Sequence, residues 1–442
     1  MRAAPISAPA PAPTPTPTTT PTRSPPAITL ASVISRFESD FLAQYQDRLL
    51  PSQRHALGAM KDCRSSLCAQ MLAQCSSCGQ QRLVPHSCGH RSCPHCQHFE
   101  SQRWIQRQTQ ALLPGSYFLI TFTLPQELRG LAWSHQQTVY AALMQCAWET
   151  LAQFSRNHRQ LRGQAGAVGV LHTHSRRLEF HPHVHMSMPA SAFDAKHGLW
   201  RSLRKTSKGG HFLFSHKALA AVFRGKLLEA LKAEGLTPPI CLPERWVVDC
   251  KSVGNGHKAL VYLGRYLYRG VIQERDIVRC AHGQVTFRYR DSATGRNAFR
   301  TLSGAAFLWL VLRHVLPRGF RRSRNFGLLH PNCRHQQRLN LLRLRMQQHP
   351  GAPTSASSEP AQAPALSERP KLQCRCCGAL MVIVRRRILP AVFVNGGHAK
   401  AQRAAHGPVH AARERQVAQQ VAQQVAEQVA EQVREQVREQ GR

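Results

Sequence analysis

The sequence predicts an α+β protein: a helical lead-in and small zinc-binding module, then a sheet with helices packed on it, between low-complexity ends. Three observations support this. Apolar periodicities through the middle of the chain run strand, helix, strand, strand. Cysteines crowd between Cys63 and Cys96, several in C-x-x-C pairs. Residues 1–28 and 346–442 are rich in Pro, Thr, Ala and Ser or are short repeats, and cannot bury enough apolar surface to fold alone.

Composition narrows the partners. A chain of 442 residues can hold two or three domains with at least one sizeable core. Its 59 Lys and Arg against 23 Asp and Glu give a net charge of +36, which favours a polyanion, nucleic acid first, through counterion release. Charge alone does not separate this from a generally arginine-rich or ribosome-associated protein. The apolar run Ala305–Leu312 is far shorter than the ~20 residues of a membrane span. The Pro/Thr-rich start lacks the apolar centre of a signal peptide, so a cytoplasmic protein is expected. In that reducing compartment, fifteen cysteines point to metal ligation before disulfides.

The elements follow in order. Val33, Phe37, Phe41, Leu42, Leu49, Leu57 and Met60 recur at helical spacing, giving the lead-in of a unit spanning 29–108. Tyr117–Leu124, β-branched and aromatic and closed by Pro125, reads as a buried strand. A long amphipathic helix runs from about Trp133 to Asn157, followed by strands at Ala167–Thr173 and Phe180–Met188 joined through Ser175-Arg-Arg177. A strand at Trp246–Cys250 turns at Gly254-Asn-Gly256 into a helix from about Lys258 to Arg269, within a main unit of 109–280. Strands at Gly283–Arg290 and Phe299–Leu302 and a helix over Ala305–Leu316 fill 281–345. These patterns place helices on one sheet face and a row of histidines on an inner strand. In the tail, tetrads from Val417 to Gln440 drift ~40° per step against a helical turn, so their valines form no seam.

Four groups of residues carry chemistry. Cys75-Ser-Ser-Cys78 and Cys93-Pro-His-Cys96, fourteen residues apart, have the spacing of a tetrahedral structural zinc site. Cys63, Cys68, Cys88, His86 and His90 lie nearby, with Cys88 the first substitute ligand, and Arg91 with Arg82 and Arg103 would grip DNA. Cys374-Arg-Cys-Cys377 is a further knuckle with no cysteine pair downstream, read as a decayed or unfilled ribbon. His181, His183 and His185 alternate along one strand and so share one face, an arrangement suited to a cation or phosphate; a strand edge that merely tolerates histidine is the bland alternative. Tyr262 and Tyr266, four apart, share a helix face beside Arg265 and Arg269. Amphipathic core tyrosines would explain an isolated pair. A neighbouring histidine row suits attack of a phenol on a phosphodiester beside a bound metal.

The cysteine stretch ending His-Ser-Cys-Gly-His-Arg-Ser-Cys-Pro-His-Cys96, then Thr121-Phe-Thr-Leu-Pro125, Val170-Leu-His-Thr173, His181-Pro-His-Val-His185, Tyr262-Leu-Gly-Arg-Tyr266 and His314-Val-Leu-Pro-Arg-Gly-Phe320 occur in one order over about residues 35–335. Together they resemble the rolling-circle insertion-sequence transposases, HUH endonucleases similar to insertion sequence ninety-one. The resemblance implies an RRM-like antiparallel sheet with a nucleophile-bearing helix, the HUH nuclease fold. It implies that His183 and His185 bind a catalytic Mg or Mn, with His181 or a neighbouring-strand residue as third ligand, and that Tyr262 and Tyr266 are nucleophiles. The implied reaction nicks single-stranded DNA at mobile-element ends and target, leaves a 5′-phosphotyrosine and a free 3′-hydroxyl, and transfers the strand near the bacterial nucleoid. His174 departs from the family's pattern, standing where a tryptophan is usual. Two rivals are a plasmid replication initiator or conjugative relaxase with the same chemistry, and a non-catalytic zinc-containing DNA-binding transposon remnant.

Overall fold

The computed structural model describes residues 28–113, 115–203, 213–268, 270–291, 293–335, 339–340 and 371–389. The expected N-terminal tail up to residue 27, most of the linker and the tetrad repeat lie outside the described residues.

Two helices, α1 (Leu30–Tyr45) and α2 (Pro51–Lys61), form the lead-in. The periodicity reads as one stretch, but Pro51 disfavours helical backbone at Leu50, so the chain breaks there and restarts with proline at the first helical position. The cysteine-rich module follows with β1 (Gln70–Cys75) and β2 (Gln81–Pro85), then α3 (His98–Gln110). The central part comprises β3 (Tyr117–Thr123), α4 (Arg129–Ser134), α5 (Gln136–Asn157), β4 (Gly166–His174), β5 (Phe180–Pro189), β6 (Ser191–Asp194), β7 (Leu199–Ser202), α6 (His216–Ala233), β8 (Val248–Ser252) and α7 (His257–Tyr268). The rest comprises β9 (Ile277–Ala281), β10 (Gln284–Arg290), β11 (Asn297–Ser303), α8 (Gly304–Leu312), β12 (Ser323–Gly327) and β13 (Met381–Ile388).

The main sheet has the order β12-β4-β5-β3-β8, and every pairing is antiparallel. The α+β class with an antiparallel sheet therefore holds, and the histidine-bearing β5 is an inner strand between β4 and β3. Val184, Met186 and Met188 of β5 point into the largest core, where Tyr140, Leu143 and Leu151 of α5 and Phe223 and Leu227 of α6 cover the sheet. Burying these side chains stabilises the face by about 1.5–3 kcal/mol each before conformational entropy is counted.

Helices cover both faces, not one as expected. On the second face Val168 and Val170 of β4 meet Leu260, Leu263 and Leu267 of α7 and Trp104 and Ile105 of α3. The apolar stripe of α7 needs a partner, and the sheet face that carries the histidines supplies it. A third cluster joins Phe37 and Phe41 of α1 and Leu57 of α2 to Phe287 of β10 and Phe307 of α8, so early and late segments close on each other. Helix α6 was not anticipated, although Leu219, Phe223, Leu227 and Leu231 recur every fourth residue and are buried.

Gly264, between the two tyrosines, lets α7 lie close to α3. A Cβ there would stand 2.3 Å from Ile105 Cγ1 and 2.8 Å from Trp104 Cε3, while Ser101 Oγ donates to the Gly264 carbonyl at 3.0 Å. Gly264→Val is therefore expected to destabilise the protein by roughly 1–3 kcal/mol through overpacking. Chemical denaturation checks this, and an unchanged midpoint would contradict the close approach.

Candidate tyrosine–histidine site and cysteine clusters

Strand register assembles the histidines. On β5, His183 pairs with His172 of β4 and His185 pairs with Thr121 of β3. The ligand nitrogens of His172, His183 and His185 consequently lie within 4.8 Å of one another. His183 Nδ1 donates to the His181 carbonyl at 2.7 Å, which leaves its Nε2 lone pair free. His185 Nδ1 shares a 2.8 Å hydrogen bond with the Thr121 hydroxyl. Burial lowers the pKa of all three, to about 3 for His183 and about 4 for His185, so the imidazoles are neutral at neutral pH with lone pairs available. His172 Nε2 is buried and unbonded within the protein. An orphaned neutral nitrogen facing two others fits a divalent cation.

His172 is the member of this cluster that sequence reasoning did not single out. Its position in Val170-Leu-His-Thr173 was visible; its register opposite His183 was not. His181 shares the β5 face, but its Nδ1 accepts from Arg129 Nη2 at 2.7 Å and it stands outside the cluster.

Helix α7 lies over this cluster. The turn before it needs positive φ at Gly254 (64°) and Gly256 (83°), and the Asn255 side chain accepts from the His257 N–H at 3.1 Å. The two tyrosines meet different surroundings. Tyr262 is 49% exposed, with its ring 6.0 Å from His185 and 6.1 Å from His172. It lines an open pocket of about 440 Å³ together with His257, Lys258, Val261, Arg265 and Tyr266. Tyr266 instead stacks on His172 (centroids 3.3 Å, 9° between planes) and on His174 (5.0 Å, 24°), with the Arg322 guanidinium 4.8 Å from its ring. Its hydroxyl is buried without a partner, and desolvation pushes its pKa to about 12. His174 is thus part of the stack that holds Tyr266.

Among the expected DNA-binding arginines, Arg265 is exposed at the pocket and Arg269 lies outside the described residues. Arg91 is turned inward: its guanidinium donates to the carbonyls of Phe320 (2.5 Å), Pro317 (2.6 Å) and Leu316 (3.1 Å). Those carbonyls belong to the loop after helix α8, and the fork of N–H groups on one guanidinium reaches three of them at once. The expected DNA contact is corrected to a structural tie. Arg91→Ala should cost about 2–4 kcal/mol and leave the salt dependence of DNA binding unchanged; a shallower salt slope would restore the DNA role. Arg322, absent from the sequence reading, donates to Leu171 and Leu267 carbonyls at 3.1 and 3.3 Å, tying β4 to α7 under Tyr266.

The cysteines sort differently from expectation. Cys93 and Cys96 do not meet Cys75 and Cys78; they cluster with Cys63 and Cys88, the Cys88 and Cys96 sulfurs being 3.6 Å apart. Cys75 and Cys78 cluster with Cys374 and Cys377, the knuckle read as decayed. The reason is topological. After the first knuckle β2 runs back along β1, carrying the chain away, while β13 pairs on the other edge of β1 and brings the distant knuckle in.

A family model described as "Putative transposase" matches residues 166–337, and one described as "Transposase zinc-binding domain", of IS91 type, matches residues 33–124. Over 326 residues the chain is 31% identical to "Putative transposase y4qJ" of Sinorhizobium fredii, covering 70% of this chain and 82% of that protein. The chain belongs to the IS91 family of transposases. It is also 28% identical over 328 residues to "Transposase for insertion sequence element IS801" of Pseudomonas savastanoi pv. phaseolicola, covering 69% of this chain and 76% of that protein. Two structures of the conjugative relaxase TrwC with DNA align at 18% identity over 29% of this transposase and 49% and 48% of those chains; at a TM-score of 0.22 the likeness carries no argument. The zinc-binding domain match spans the Cys63, Cys88, Cys93 and Cys96 cluster, whose sulfurs fit a structural zinc. Among the described residues, no helix of the transposase is long and apolar enough to cross a membrane.

Proposed function

We propose that this transposase nicks and rejoins single-stranded DNA at its mobile-element ends and target through a 5′-phosphotyrosine on Tyr262. The observation that carries this is the half-exposed Tyr262 ring, beside three neutral histidines and inside a basic open pocket. Lys258 and Arg265 bind phosphates flanking the scissile bond and orient it against the phenol. The Tyr262 oxygen attacks phosphorus, its proton passing to solvent. A phosphorus–tyrosine bond forms as the bond to the 3′-oxygen breaks, and that oxygen takes up a proton to become a free 3′-hydroxyl. Transfer reverses the step: a 3′-hydroxyl of the recipient strand attacks the phosphotyrosine and releases the phenol. The linkage is conserved, so no ATP is needed.

His172, His183 and His185 would hold a divalent cation, which when bound polarises a non-bridging phosphate oxygen. Three imidazole nitrogens favour Mn over Mg. Tyr266 is a positioning residue in this scheme: packed between His172 and His174, it sets the His172 ring, while its own hydroxyl is buried away from the open pocket surface. The test is incubation of the purified chain with end-labelled single-stranded DNA from the element terminus, with and without Mn or Mg, on a denaturing gel. A metal-dependent protein-linked label is expected. DNA binding with no adduct under any metal would favour a binding-only remnant.

A further inference from the structure

We propose that Cys75, Cys78, Cys374 and Cys377 form a second structural zinc site, which clasps a ribbon from the far end of the chain onto the N-terminal module. Neither family match includes Cys374 or Cys377, since they end at residues 124 and 337. This inference is independent of the strand-transfer reading.

The two knuckles are near copies of one another. Each is C-x-x-C-G, and the glycine after the second cysteine has positive φ in both, 72° at Gly79 and 74° at Gly378. In the first, the Gly79 N–H donates to the Cys75 carbonyl at 3.3 Å and the Cys75 N–H to the Gln80 carbonyl at 2.9 Å. In the second, the Gly378 N–H donates to the Cys374 carbonyl at 3.0 Å and the Cys374 N–H to the Ala379 carbonyl at 2.8 Å. The N–H groups of Ser77 and Cys78 also point at Cys75 Sγ, at 3.4 and 3.5 Å, the arrangement that stabilises a thiolate. Strand β13 then runs antiparallel along β1, with Met381 opposite Cys75, which sets the two knuckles face to face.

The sulfur geometry identifies the ligand class. Cys75 and Cys377 sulfurs lie 3.5 Å apart, and Cys78 lies 3.6 Å from both Cys374 and Cys377. A disulfide requires about 2.05 Å. A tetrahedron with zinc–sulfur bonds of about 2.3 Å has edges of about 3.8 Å. Cys376, inside the second knuckle, is exposed and outside the cluster, so position and not mere cysteine density selects the four ligands.

The surrounding sheet also needs a clasp. Among the described residues, none of the three apolar cores includes a residue of β1, β2 or β13. Leu83, Val382 and Val384 are exposed on these strands. A three-stranded sheet without a core of its own is held in small domains by metal ligation.

The test counts zinc in the full-length protein in a His183→Ala background, so that the histidine cluster contributes none. Elemental analysis is expected to find two zinc per chain, falling to one in C374S/C377S and staying at two in C376S. One zinc in the parent, or two retained in the double variant, overturns the proposal. Should the double variant fail to fold, alkylation mapping of the parent decides. Cys377 is expected to be protected until a chelator is added while neighbouring Cys376 reacts at once; equal labelling of these two exposed thiols before chelation overturns it.

Discussion

Tyr262→Phe is expected to abolish the covalent protein–DNA adduct, a loss of at least ~10³-fold, with DNA affinity within about twofold of the parent. The substitution removes one oxygen and preserves the ring, so the aromatic contacts to His172 and His185 persist while the nucleophile disappears. Lys258 and Arg265, which line the same pocket, are untouched. Tyr266→Phe is the discriminating control. It deletes a hydroxyl that is buried, unbonded and pushed to a pKa of about 12, and its ring stays stacked on His172. Adduct formation should survive it. Gel analysis of both variants separates the roles: an adduct in Y262F that vanishes in Y266F would reverse them.

His172→Gln is expected to lower strand cleavage by about 10²–10⁴-fold at limiting Mn and to raise the Mn concentration needed for half-maximal adduct. Glutamine keeps most of the ring's volume against Tyr266 but replaces the neutral imidazole nitrogen of the cluster. His181→Gln should change the Mn requirement by less than about tenfold, since its Nδ1 is held by Arg129 outside the cluster. Titrating Mn against adduct yield checks the pair. Equal effects at His181 and His172 would remove His172 from the ligand set.

Local patterns were legible wherever a contact partner lies within one element. The alternation His181, His183, His185 placed the imidazoles on one face of β5 opposite Val184 and Met186, because side chains alternate along any strand. The spacing of Tyr262 and Tyr266 placed both on α7. Arg91 shows the limit: within a basic, cysteine-rich segment its charge suggested DNA, and only the approach of the segment after α8 revealed three carbonyls waiting for it.

The α+β class, the inner strand with its histidine row, the tyrosine helix and the family were all legible along the chain, since each rests on periodicity or on motif order. The third imidazole, the unequal surroundings of the two tyrosines and the pairing of the cysteines came from packing. Each of these depends on how elements meet: His172 on the register of β4 against the next strand β5, the tyrosines on α7 lying over the same sheet face, and the cysteines on the distant β13 reaching the free edge of β1. Strand partners hundreds of residues apart leave no local periodicity, so a knuckle that looks orphaned in sequence finds its complement only when the sheet closes.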